Sequence, residues 1–122
     1  MQNAELFRRG IVVPLDRNAE QSLRANNVSD ATNMRYLGIP NDEIFETLWE
    51  IGLFREINSR CATLLDDYEE QMVEASSAAE ILAAIESVAK NATQPEVAKF
   101  LEETQNLVYE ASALSRPILF VL

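Results

Sequence analysis

The chain contains no histidine. That absence removes the side chain that most often carries acid–base chemistry near neutral pH, and with it the Glu-x-x-His pairs of a di-iron bundle. Cysteine occurs once, at Cys61, so no internal disulfide can form. Cys61 falls on the apolar side of a helical pattern and is expected to be a buried rather than a reactive thiol, which favours a reducing, cytosolic setting. Three glycines and four prolines among 122 residues are too few for a disordered chain or a many-stranded barrel. Long apolar runs are missing too. "IVVPL" near the N-terminus is too short for the core of a signal peptide, and nothing approaches the ~20 residues that span a bilayer. Basic residues are scarce, ten Lys and Arg against twenty Asp and Glu, for a net charge of −10. This argues against binding nucleic acid or an anionic membrane surface.

What is there is an apolar content of 48%, enough for a single domain, residues 1–122, with a real core. Abundant Ala, Leu and Glu favour helix. "GIVVPLD" reads as a short strand that Pro14 confines to an edge or ends early. "NAEQSLRANN" offers a weak helical turn or two. "SDATNMRYLGIP" reads as a better helix, with Ser29 or Asp30 as N-cap and Gly38 as its stop. "NDEIFETLWEIG" is a strong helix: Asn41 caps it, Asp42 and Glu43 suit its N-terminal dipole, and Ile44, Leu48 and Ile51 form one stripe. Phe54, Ile57, Cys61, Leu64, Leu65, Tyr68 and Met72 recur at steps of three and four and predict one long amphipathic helix. "SAAE", Ser77 to Glu80, reads as a capping box for a helix through Ile81, Leu82, Ile85 and Val88. "TQPE" opens the last helix, with Val97, Phe100, Leu101, Thr104, Val108 and Ala111 inward, ended by Arg116 and Pro117. The terminal "ILFVL" is apolar and is expected to pair with Ile11 to Leu15 as a small sheet; the alternative is a docking tail. The expected fold is therefore mainly α: a bundle of about four to six helices, with a possible two-stranded element joining the N- and C-terminal segments.

The charge is unevenly spread. Residues 41–80 hold eleven acids and two Arg, against four acids and five Arg in residues 1–40. On the predicted long helix, Asp66, Asp67, Glu70 and Glu74 fall opposite the apolar stripe, as an exposed ridge within "TLLDDYEEQMVE". Glu43, Glu46 and Glu50 make a second acidic line on the preceding helix, beside Trp49 as a boundary aromatic. Outward acids do not make a paired-carboxylate hydrolase, the spacing of a calcium loop is absent, and there is no Gly-rich phosphate loop. No catalytic residue, cofactor or metal site is expected. Either line alone reads as an ordinary solvated face. Repulsion among so many like charges has a cost that a merely soluble surface avoids by mixing signs, so two lines on adjacent helices shift the reading toward a docking surface for a basic partner.

A small acidic helical protein with segments such as "NDEIFETLWEIGLFREIN" and "LLDDYEEQMVE" resembles the bacterial immunity proteins that accompany colicins and contact-dependent or polymorphic toxins. The resemblance implies a non-catalytic cytoplasmic inhibitor that neutralises a cognate toxin, or another basic protein, through its acidic face, with electrostatic steering speeding the encounter. Two other classes fit the same features: a helical adaptor or regulatory subunit docking through Trp49 or the apolar C-terminus, and a phage-type mimic of nucleic acid. The oligomeric state is left open.

Overall fold

A computed structural model describes residues 8–25, 33–67 and 69–122. Four short strands, β1 (Gly10–Pro14), β2 (Met34–Gly38), β3 (Glu70–Val73) and β4 (Ile118–Val121), form one antiparallel sheet in the order β2-β1-β4-β3. Among the described residues five α-helices accompany it: α1 (Arg17–Arg24), α2 (Asp42–Glu50), α3 (Leu53–Cys61), α4 (Ala78–Ala89) and α5 (Pro95–Leu114).

This mixed architecture overturns the expected mainly α bundle. The N- and C-terminal segments do pair, Ile11 opposite Phe120 and Val12 opposite Leu119. They are, however, the middle of a four-stranded sheet rather than a two-stranded element. β1 is interior despite Pro14, because its ladder with β4 covers only Gly10 to Val12. Continuing that register by two residues would set Pro14 against Pro117, neither of which has an N–H to give.

Two other segments change type. Met34–Gly38 is a strand, not the end of a helix stopped by Gly38, while the expected caps Ser29 and Asp30 lie outside the described residues. The long helix through Met72 stops at Cys61, where Ala62 turns left-handed at φ 55. Asn58 organises the reversal: its Oδ1 accepts from Leu65 N (2.7 Å) and Thr63 Oγ1 (2.8 Å), and its Nδ2 donates to the Leu65 carbonyl (3.0 Å). Leu64, placed on the apolar stripe by its spacing, is 83% exposed. Tyr68, from the same stripe, lies outside the described residues. A helix through "DDYEE" would have stacked carboxylates a turn apart, and the chain avoids this by leaving the helix before them.

The sheet has two apolar faces, set by alternation along each strand. Ile11, Val13, Ile118, Phe120, Leu122 and Val73 join the main core with α2 to α5. Val12, Leu119 and Val121 face the other way, under Leu23 of α1, with Met34 and Met72 at the margins. Gly10 permits the close approach of β2, since a Cβ there would lie 2.4 Å from the Leu37 carbonyl oxygen. The last two long helices follow their expected patterns, and Val97, Phe100, Leu101, Thr104, Val108 and Ala111 are all buried. Ser77 makes no capping hydrogen bond, so the "SAAE" box is not formed; a 3-10 turn over Ala75–Ser77 leads into α4 instead. Cys61 is half-buried rather than fully buried, and burial pushes its thiol pKa up.

Candidate binding surface

The eight expected contact residues separate into three groups. Glu43, Glu46 and Glu50 are all exposed along α2, whose start is fixed by Asn41 Oδ1 accepting from Ile44 N at 2.9 Å. Trp49 is half-buried beside them, its ring 4.9 Å from that of Phe54. Asp66 and Asp67 belong to the irregular segment before β3, not to a helix. Glu70 opens β3 and Glu74 follows it. The single helical ridge Asp66–Asp67–Glu70–Glu74 therefore does not exist.

What joins the first two groups is a residue that the pattern did not single out, Arg9. Its Nη1 donates to Asp42 Oδ1 at 3.0 Å, its Nη2 is bonded to Asp67 Oδ1, and its Nε donates to the main-chain oxygen of Leu122 at 2.9 Å. The guanidinium also lies 4.0 Å from the centre of the Phe45 ring. A planar fork with five donors suits such a three-way contact, which an ammonium would not satisfy. Arg9 thus draws the N-terminus of α2 against the "DD" segment. Asp42 and Asp67 are engaged there, whereas Glu43, Glu46 and Asp66 remain exposed around them.

Glu74 has a different role. It receives both Nη groups of Arg24, at 2.7 and 3.0 Å. Arg24 also reaches Glu20 (3.0 Å), and Glu20 takes Arg116 at 3.0 Å. This chain of charges fastens α1 over the second face of the sheet, where only Ala19 and Leu23 of the helix are buried. A triple reversal of Asp67, Glu70 and Glu74 to Lys would accordingly break two internal ion pairs, and is not a neutral probe of the surface.

The hydrogen bonds from Arg24 hold the Glu74 carboxyl below its ordinary pKa of 4.5. A depressed pKa contributes stability that is present above the ordinary value and is lost as pH falls through the folded one. Amide exchange in α1, read at Leu23, should therefore accelerate relative to Val108 of α5 between pH 6 and pH 3. In Glu74→Gln that acceleration should be smaller. Equal protection of α1 at both pH values would mean that the pair contributes nothing to holding the helix.

Among the described residues no group of three or more His, Cys, Asp or Glu is placed to hold a metal ion, and no helix is long and apolar enough to cross a membrane. Comparison with protein-family models, curated proteins and solved structures gives no match.

Proposed function

We propose that the chain is a non-catalytic protein-binding inhibitor of the immunity type, acting in the cytoplasm on a basic toxin or other basic protein. The observation that carries this reading is the Arg9 bridge between Asp42 and Asp67. It brings two acidic segments, distant in sequence, to one part of the surface, where Glu43, Glu46, Glu50 and Asp66 are exposed. A concentrated negative field of this kind raises the rate of encounter with a basic partner and disfavours acidic ones. The adaptor reading has lost one of its two docking elements, because Ile118 to Leu122 are at most 4% exposed. Its other element, Trp49, is half-buried and packs at a tilt of 57° against Phe54. A mimic of nucleic acid needs its charges to run along an elongated face, and the acids Asp66, Asp67, Glu70 and Glu74 are instead divided between an irregular segment and the two ends of β3.

The test is a triple variant, Glu43→Lys, Glu46→Lys and Glu50→Lys, which leaves every described ion pair in place. It should still melt cooperatively, within about 1 kcal/mol of the parent, because Glu43→Lys gives up a favourable first-turn charge on α2 while the set relieves repulsion among neighbouring acids. Its association rate with the basic partner, isolated from the native host, should fall by about tenfold or more at low ionic strength and approach the parent's rate in ~1 M salt. An unchanged rate at low salt would make the α2 line an ordinary solvated face. A gene directly behind that of a large toxin would identify the partner to use.

A further inference from the structure

Five of the ten Lys and Arg side chains, Arg9, Arg24, Arg35, Arg60 and Arg116, are taken up in ion pairs with the surplus of acids. The other five, Arg8, Arg17, Arg55, Lys90 and Lys99, have no ion-pair partner among the described residues, and two of them, Arg55 and Lys90, are brought together by the fold. These two come from different helices, Arg55 from the first turns of α3 and Lys90 from the end of α4, and they line one cleft of about 340 Å³. Ser59, Ser87 and Asn91 add hydroxyl and amide donors to its wall. The acid in the wall, Glu56, has its carboxylate held by Arg60 Nε at 3.1 Å.

The backbone favours the same sign of ligand. Gly52 precedes α3 in the left-handed region at φ 93, and no side chain caps the helix there. Gly52 and Arg55 of this helix start line the cleft, and the dipole favours negative charge at that end. Carbonyls at the end of α4 would repel an anion, but Val88 O already accepts from Asn91 N (2.9 Å) and Ala89 O from Ala92 N (3.1 Å). With no side chain of its own, Gly52 also leaves the floor open between Arg55 and Val88, whose nearest atoms lie 3.7 and 3.9 Å from where a Cβ would stand.

We propose that the cleft between α3 and α4, with Arg55 and Lys90 as its two cations, binds the phosphate group of a small phosphate monoester. Two positive charges match a phosphate dianion. Arginine supplies a forked contact to two of its oxygens, lysine a point charge, and the hydroxyl and amide groups the remaining donors. The volume leaves room for a small organic appendage beyond the phosphate. This site is separate from the acidic surface and does not depend on the inhibitor reading.

Amide shifts recorded while inorganic phosphate is added, with chloride holding the ionic strength constant, test the assignment. Saturable shifts confined to Gly52–Glu56 and Ser87–Asn91 are expected. Both cations are exposed, so Arg55→Gln and Lys90→Gln should fold as the parent does. Each should weaken binding by about tenfold, and the double variant should abolish saturation. Arg17→Gln with Lys99→Gln, which removes as much positive charge elsewhere, should leave the titration unchanged. Shifts that spread over the surface without saturating, or that persist in the Arg55/Lys90 double variant, would overturn the proposal.

Discussion

Deletion of residues 118–122 should leave a chain with no cooperative unfolding transition. β4 lies between β1 and β3, so its loss would expose two strand edges at once and separate β3 from the sheet. All five side chains from Ile118 to Leu122 are at most 4% exposed. Burial of each large apolar side chain contributes roughly 1.5–3 kcal/mol, against a total stability of about 5–15 kcal/mol for a domain of ordinary size. The summed loss reaches that total. Urea titration followed by circular dichroism reads the outcome, and a truncated chain that unfolds cooperatively near the parent's midpoint would show that the sheet does not need β4. Should the truncated chain not accumulate, Phe120→Ala asks the same question more gently. Phe120 is fully buried in the main core, and its truncation should cost about 3–5 kcal/mol through lost burial and the cavity left behind.

The parts of the fold legible in the sequence are those decided by local signals. α2 has a capping Asn and first-turn acids, α5 has Pro95 in its first turn and a regular inward stripe, and both lie where these signals put them. The strand character of "GIVVP" was equally local. What was not legible was decided at a distance. "MRYLG" carries no strong period, and its strand form comes from pairing with β1 at a register set by Gly10 opposite Gly38. The segment after Cys61 satisfied a helical period by coincidence: Leu65 is buried but from a loop, and Met72 is partly buried but from a strand, at the margin of the sheet's second face. A better warning was already present in the charges. Four acids within Asp66 to Glu70 oppose helix, and a period that must absorb such repulsion deserves less weight than one that does not.

The candidate surface was half legible for the same reason. Exposure of Glu43, Glu46 and Glu50 follows from their place on α2 relative to Ile44 and Leu48. The fate of Asp67 and Glu74 does not, because their partners Arg9 and Arg24 are 58 and 50 residues away in sequence. Charge counted along a chain shows where acids are plentiful. Which of them stay available to a partner depends on the few cations the fold returns to them, and here that selection separates a fastening role for Glu74 from an open one for the α2 line.

Arg9→Ala should destabilise the protein more than any other single change to a charged residue. The side chain is 24% exposed, and its loss would leave Asp67, the Leu122 main-chain oxygen and the Phe45 ring without their common partner. Asp42 and Asp67, now held on either side of one cation, would face each other as like charges. Partly buried hydrogen bonds to charged groups contribute about 1.5–3 kcal/mol, and a cation over an aromatic ring adds roughly 0.5–1 kcal/mol. A loss of about 2–4 kcal/mol in urea unfolding is expected. Arg9→Lys should recover less than half of it, because one ammonium cannot serve two carboxylates, a main-chain oxygen and a ring from a single position. The same substitution bears on function, since it adds net negative charge yet releases the "DD" segment from α2. If total charge alone attracts the basic partner, Arg9→Ala should associate at least as fast as the parent. If the arrangement held by Arg9 matters, dissociation should speed up while the folded fraction, checked well below the unfolding midpoint, stays complete. A variant as stable as the parent to within ~0.5 kcal/mol, with unchanged rates, would remove Arg9 from both roles.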